Sequence, residues 1–515
     1  MNGTPDAVVV GAGPNGLAAA LRLAAAGLSV RVVERGDRAG GGLRTEEVTL
    51  PGYRHDICSS VHPMAAAAPF FREFDLASRG VRLLQPDINF AHPLDGGRAA
   101  LSFSSLEQTA AGLGADAAGY RRLFGPLLRH GDEITDFFLT SAFRRLPPLH
   151  GLLGIADFGL QGLPSVGWLA RRYFDDDAAK ALIAGAAAHG MLDLTRPLTA
   201  ALGMFLGMMS HHHGWPLIEG GSQQLADAMV TALEQQGGEV VTGHEVTDLR
   251  EFDGVPAVLL DTSPGAFVAM AGDRVHPGYR RWVERYRHGP GVFKIDWALS
   301  EPVPWTNPDV RRAGTVHVAG TMEETIAGES APAHGRVTDK PYVLAVQPTV
   351  VDPSRAPAGG HVFWAYVHVP HGSTVDMTEA IEAQVERFAP GFRDTIIARS
   401  TMTAVQMQQW NPNDVGGDIS NGEASLRQML ARPVPRWNTY KTPVPGTYLA
   451  SAATPPGPAV HGHCGDNAAR VALREVFGVR HAPPLRPAPA AGGSARRLGG
   501  ALGGPGCGTG PGAVG

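Results

Sequence analysis

Cysteine, lysine and long apolar runs are all scarce in this chain. The only cysteines are Cys58, Cys464 and Cys507. They form no C-x-x-C, which argues against a redox-active dithiol of the disulfide-reductase type and fits a reducing compartment. The only lysines are Lys180, Lys294, Lys340 and Lys441. Arginine carries most of the positive charge. With so much Ala, Gly and Pro, this is the mark of a GC-rich bacterial coding bias, not of a basic patch. The net charge of −5 gives no reason to expect nucleic acid as a partner. The longest apolar stretch, Pro197 to Met209, falls short of the roughly 20 residues a membrane-spanning helix needs. It reads as core, with peripheral membrane association left open. A strand begins within about six residues of the first, which leaves no room for a signal peptide. A cytoplasmic location, at most membrane-peripheral, is therefore expected. What is plentiful is length: 515 residues, 43% of them hydrophobic, suffice for two domains and a large core.

The first forty-five residues carry the strongest pattern. Ala7-Val8-Val9-Val10 reads as a buried strand, Gly11-Ala12-Gly13-Pro14-Asn15-Gly16 as a turn, and Leu17 to Ala26 as a helix. Val30 to Val33 reads as a second strand ending at Glu34. This is a βαβ dinucleotide-binding unit. Gly11 permits the tight turn, Gly13 a close approach to a pyrophosphate, and Gly16 close packing of helix on strand. The helix N-terminus, with Pro14 and Asn15, offers free N–H groups to phosphate. Glu34, 23 residues after Gly11, can accept hydrogen bonds from both ribose hydroxyls and would repel a 2′-phosphate, which argues against NADP. The same spacing recurs at Gly510 to Gly515. No strand precedes that copy and no helix follows it, so it reads as a chance match.

Arg38-Ala39-Gly40-Gly41-Gly42-Leu43-Arg44-Thr45 follows the second strand. It resembles the R-x-G-G-R-x-x-[ST] motif of the two-dinucleotide-binding flavoproteins, a superfamily that includes amine oxidases and carotenoid desaturases. The resemblance implies FAD at the first site, held in part by Gly40, Gly41, Gly42, Leu43 and Thr45. Gly42 stands where that superfamily often has Arg, which shifts the positive charge to Arg35 or Arg44. A segment around Val246 resembles the superfamily's second cofactor segment, where a backbone group holds the adenine. Tyr448 to Ala452, a Pro/Gly-rich loop and a helix from Asp466 to Phe477 resemble its third. There Val460, Gly462 and Gly465 would meet the flavin, whose reduced form the helix N-terminus can stabilise. Lys294 to Leu299, Val415 to Ile419 and Thr454 to Gly457 are similar to the phytoene dehydrogenase-related branch, which includes a vertebrate protein named for a pyridine nucleotide-disulfide oxidoreductase domain. The resemblance covers roughly residues 5–478.

The expected fold is α/β: a Rossmann-like FAD-binding domain of GR2 type interleaved with an α+β substrate domain. Residues 1–68, 214–265 and 437–481 are assigned to the first. Residues 69–213, with a helical pattern, and 266–436, with strand-like runs at 292–299, 342–349 and 361–369, are assigned to the second, which caps the site and binds substrate. Residues 482–515 read as a disordered Pro/Ala/Gly-rich tail.

The implied activity is that of an FAD-dependent oxidoreductase moving hydride from a small apolar organic substrate to flavin N5. The electron acceptor stays open among oxygen, a quinone and NAD(P). The alternatives are a flavin amine oxidase, an FAD-bound isomerase and a non-catalytic FAD-bound interaction protein. Candidates for chemistry are His461 and His463, alternating in the loop before the last helix, and Lys294, which shares a strand face with Asp296 and is alternatively its ion-pair partner. Trp364, Tyr366 and His368 share another face and either line a substrate cavity or pack in the core. Cys58 reads as a buried thiol. His211-His212-His213 cannot all face one site from a regular element and read as a solvated loop, so no metal is expected.

Overall fold

The computed structural model describes residues 3–139, 149–425, 428 and 431–485. The Gly-rich match at 510–515, Cys507 and most of the expected tail lie outside the described residues. The principal strands, in chain order, are β1 (Ala7–Val10), β2 (Val30–Val33), β3 (Ile88–Pro93), β4 (Ala99–Ser102), β5 (Glu239–Val241), β6 (Ala257–Leu260), β7 (Gly291–Leu299), β8 (Ala313–Val318), β9 (Val343–Val346), β10 (His361–Val369), β11 (Ile396–Met402) and β12 (Thr447–Leu449). The helices that shape the site are α1 (Pro14–Ala25), α2 (Gly131–Leu139), α3 (Leu149–Gly162), α4 (Asp177–Ala188), α5 (Thr199–His212), α6 (Gln223–Gln235), α7 (Met322–Ala333) and α8 (His463–Glu475).

One sheet is parallel, in the order β12-β6-β1-β2-β5. Its centre, β1, is buried along its whole length, as a parallel strand covered on both faces must be. Segments hundreds of residues apart in sequence thus form a single Rossmann-like sheet. α1 lies against it and against α8. The approach of α8 is so close that a Cβ on Gly465 would fall 1.7 Å from the Asn15 carbonyl oxygen. Across that helix pair Arg22, fully buried, is neutralised by Glu73 and Asp466, as a buried guanidinium must be.

The second sheet is mixed, in the order β11-β7-β10-β9-β8-β3-β4. β7, β10 and β11 pair antiparallel, while β8 meets β3 in parallel. Here the structure departs from the helical reading of residues 69–213. Ile88–Pro93 is a fully buried strand and pairs with Ala99–Ser102 as a hairpin. Six buried residues followed by Asp-Gly-Gly carry no alternation, and such a run cannot be told from a buried helix by periodicity. The remainder of that region is helical, and no helix among the described residues is long and apolar enough to cross a membrane.

A second departure concerns the histidine run. His211 and His212 are the last residues of α5 and His213 caps it; they are not a solvated loop. His211 meets the Tyr120 hydroxyl at 2.8 Å, whereas His212 turns toward Asp132 at 3.0 Å.

Candidate functional site

The turn between β1 and α1 is built from contacts that only glycine allows. Gly11 has φ +98° and its missing Cβ would lie 2.9 Å from the Asp261 carbonyl. A Cβ on Gly16 would fall 2.0 Å from the Gly11 oxygen. These contacts press α1 onto the turn and leave its N-terminus, with Pro14 at the first position, open to the space above. The Gly40–Leu43 turn closes over it: the Gly40 N–H donates to the Ala12 carbonyl at 2.9 Å, and a Cβ on Gly41 would fall 2.9 Å from the Gly13 Cα. Glu34, at the end of β2, is held by backbone donors, Ala12 N–H to one oxygen and Gly36 N–H to the other, both at 2.8 Å. Two fixed donors aim the carboxylate into the cleft.

Asp261, which the motifs did not single out, completes this cradle from the end of β6. Its carboxylate accepts the Gly16 N–H at 2.8 Å. Burial pushes its pKa up to about 7; the Gly16 bond opposes this and the charge of Glu34 adds to it. A carboxylic acid whose pKa lies near neutral therefore sits against the N-terminus of α1. The signal for it was the strand–loop–helix Ala257 to Ala271, a third parallel strand ending at the same sheet edge.

The cradle opens into one continuous cavity of about 2300 Å³. That exceeds the roughly 300–1,000 Å³ of an ordinary small-ligand pocket and leaves room for a dinucleotide and a second molecule. Its polar end carries Gly11, Gly13, Pro14, Asn15, Glu34, Arg35, Gly41, Gly42 and Val246. Its far end is apolar, with Phe138, Phe158, Leu202 and Phe205 from α2, α3 and α5. Its wall also carries Cys58, His189, Trp364, Tyr366, Asp414, Val460 and His461.

The Gly-rich end matches the profile of an NAD(P)-binding Rossmann-like domain over residues 9–74. Over nearly its whole length the chain is similar to pyridine nucleotide-disulfide oxidoreductase domain-containing protein 2 of Rattus norvegicus, at 25% identity covering 92% of this chain and 94% of that protein. It is also 24% identical to the neurosporene-forming phytoene desaturase of Rhodobacter capsulatus, covering 89% and 91% of the two chains. Among solved structures, a triple mutant of putrescine oxidase shares the fold, with a TM-score of 0.57 at 17% identity over 92% of this chain and 98% of that one. Over nearly its whole length the chain is thus similar to oxidoreductases and desaturases. The expected recognition and the α/β, Rossmann-like architecture agree with these findings, which indicate an oxidoreductase.

Not every residue singled out from the sequence reaches the cavity. Gly16, Gly40, Leu43, Thr45, Gly462 and Gly465 support it from behind. Thr45 donates to Asp56 at 2.7 Å, and Asp56 is in turn paired with Arg355 at 2.8 Å. Burial alone would raise the Asp56 pKa, but Arg355 and three hydrogen bonds hold it down at about 2. Arg35 and Arg44 both border the cleft. Arg35 donates to the Gln409 carbonyl at 3.2 Å, and Arg44 lies 5.7 Å from the Trp410 ring centroid.

Of the three candidates for chemistry, His461 alone is on the cavity wall. Its Nε2–H donates to the Gly457 carbonyl at 3.1 Å and its Nδ1 accepts the His463 N–H at 3.0 Å. Burial, with His463 beside it, pushes its pKa down to about 3. With both nitrogens engaged, His461 shapes the loop and has no free lone pair for a proton. His463 turns away toward Phe70, whose N–H it faces at 3.5 Å. Lys294 is paired with buried Asp296 and lies 5.3 Å from the Trp364 centroid, behind the wall. Trp364 and Tyr366 face the cavity as a stacked pair at 5.9 Å, whereas His368 is buried against Glu329 at 2.7 Å. Burial raises the Cys58 thiol to about 12, so it stays protonated and is no nucleophile.

Two wall residues were not legible in the sequence. His189, at the end of α4, shares one proton with His317 across a 2.9 Å Nε2···Nε2 contact, and burial keeps it neutral, with its pKa lowered to about 3. Asp414 accepts the Asn411 and Asn421 amides at 3.1 and 3.0 Å. Burial, reinforced by Asp418, raises its pKa to about 8. Neither residue belongs to a spaced motif, so only folding brings them to the wall.

Proposed function

We propose that this protein binds FAD in the Gly11–Gly16 cradle and uses it to remove hydride from an apolar organic substrate held among α2, α3 and α5. One observation carries the reading: the Gly-rich cradle and the phenylalanine-lined chamber line one and the same cavity. When bound, the flavin supplies a two-electron acceptor at N5. The chain does the rest. The α1 N-terminus offers N–H groups to the pyrophosphate, and Glu34 offers two oxygens to the ribose. Backbone near Val246 meets the adenine end, and the loop carrying Val460 meets the flavin end. The apolar walls keep water from the reacting carbon. Protonated Asp414 and neutral His189 are the wall groups able to hold a proton near it.

The exposed side chains of Leu160 (70%), Leu153 (67%) and Trp168 (57%) lie on or next to α3, the helix that walls the apolar chamber. They suit substrate entry from a lipid surface.

The test is spectroscopic. Purified protein should be yellow and release FAD, not FMN or NAD, on denaturation. Anaerobic addition of a substrate should bleach the band near about 450 nm, and oxygen, a quinone or NAD(P) should restore it, which identifies the acceptor. Colourless protein that gains no stability from added FAD refutes the reading. The stacked Trp364–Tyr366 pair favours amine oxidation as a second reading, and that reading requires hydrogen peroxide with amine substrates. Turnover without bleaching points to an isomerase. Neither bleaching nor turnover across a broad substrate panel points to a binding protein.

A further inference from the structure

Away from the dinucleotide cradle, α5 ends beside the start of α2. His212, the last residue of α5, points Nε2 at Asp132 Oδ1, 3.0 Å away. His213 stacks edge-on against it, with ring centroids 4.4 Å apart. Its Nε2 is buried and has no hydrogen-bond partner. One ligand atom from each of Asp132, His212 and His213 lies within 4.8 Å of the other two. The backbone makes room for this: a Cβ on Gly131 would lie 3.1 Å from the His212 ring, so glycine lets the ring rest over the first turn of α2.

We infer that Asp132, His212 and His213 form a binding site for a divalent transition-metal ion of the zinc class, clamping α2 to α5. The donor set suits it, since imidazole and carboxylate both bind zinc at about 2.0–2.2 Å, with water as fourth ligand. Tetrahedral coordination at that length needs donor atoms about 3.4 Å apart, so modest side-chain rotation closes the site. The C-terminus of α5 presents the negative end of its dipole to a cation, and the opposing charge of nearby Arg72 is offset by its pairing with Asp136 at 3.1 Å. His211 is excluded, because it is bonded to Tyr120.

The consequence reaches the cavity. α2 contributes Phe137 and Phe138 to the apolar wall, and α5 contributes Leu202 and Phe205. A metal at their junction fixes the spacing of these two helices and so the width of the chamber. The inference is independent of which cofactor fills the cradle.

The experiment uses untagged full-length protein, stripped with chelator and dialysed. Zinc is titrated calorimetrically near neutral pH, and cobalt(II) is added in parallel as a spectroscopic probe. Wild type should bind one zinc and show tetrahedral cobalt absorption. Zinc should also raise its thermal midpoint. His213→Gln and Asp132→Asn should each weaken zinc binding at least about tenfold and abolish the midpoint rise, while His211→Gln binds as wild type. No zinc binding by wild type overturns the inference. So does equal binding by folded His213→Gln and Asp132→Asn proteins, which would place the metal on other histidines.

Discussion

Replacing Asp261 by Asn tests the electrostatics of the cradle. The carboxyl is buried, and its pKa is raised from 3.8 to about 7. The sign follows from proton binding: between these values the folded protein holds a proton that the unfolded chain releases, so stability falls as pH rises. A shift of about three pH units corresponds to ~4 kcal/mol in total. About half of it, ~2 kcal/mol, falls between about pH 5.5 and about pH 8.5. Asn keeps an oxygen for the Gly16 N–H and has no proton to lose. The thermal midpoints of wild type and Asp261→Asn should therefore diverge with pH, the variant gaining relative to wild type as pH rises through about 7. Other titrating groups are common to both proteins and cancel in the difference. FAD retention gives a second reading, because an ionised Asp261 faces the same opening as the pyrophosphate. Wild type should release flavin more readily above about pH 7, and the variant should not. A midpoint difference that stays constant across the pH range would refute the reasoning, whatever the absolute stability of the variant.

Glu34→Ala should weaken FAD retention and leave two backbone donors, Ala12 and Gly36 N–H, without their partner; unchanged flavin content after dialysis would show that the ribose lies elsewhere. Gly465→Ala puts a Cβ 1.7 Å from the Asn15 oxygen, so α8 must back away from α1. A cost of ~1–3 kcal/mol or more should appear as a lower thermal midpoint together with lost flavin. His62 donates to Ser222 Oγ at 2.8 Å and its pKa is lowered to about 4 by burial. That lowering contributes ~3 kcal/mol of stability, present above pH ~6.5 and lost as pH falls toward about 4. His62→Gln should flatten the acid limb of the thermal midpoint, and an unaltered limb would mean the imidazole is solvated.

How much of this was legible in the sequence depends on whether backbone or side chains build the feature. The cradle is made of backbone. Gly11, Gly13 and Gly16 are required by contacts within one short turn, and Glu34 sits one helix and one strand further on, so their spacing survives as a motif. Helices and strands with clear periodicity were equally plain, as with His361–Val369. Ile88–Pro93 was not, because a strand buried on both faces loses the alternation that identifies it. The histidine run misled for a local reason: reading three consecutive side chains as a loop overlooks that a helix end sends them in different directions, His211 to Tyr120 and His212 to Asp132.

The chamber proposed to hold substrate is of the other kind. Phe138, Leu202, His189, Trp364 and Asp414 come from three helices, a strand and a loop separated by tens to hundreds of residues, and each would read as ordinary core or loop in isolation. What distinguishes Asp414 or His189 is desolvation plus a particular neighbour, Asp418 in one case and His317 in the other. Both are properties of the folded interior, not of spacing. This explains why the residues expected to do chemistry from sequence, Lys294 and His463, end behind the wall. Each sits in a recognisable segment, but the side chain is consumed by a partner that the same fold supplies. Under the proposed function it also says where substrate choice would reside. Changing Phe205 or Leu202 alters the chamber without touching a cradle contact, so cofactor retention and substrate choice can vary separately, as a cavity with a backbone-built end and a side-chain-built end permits.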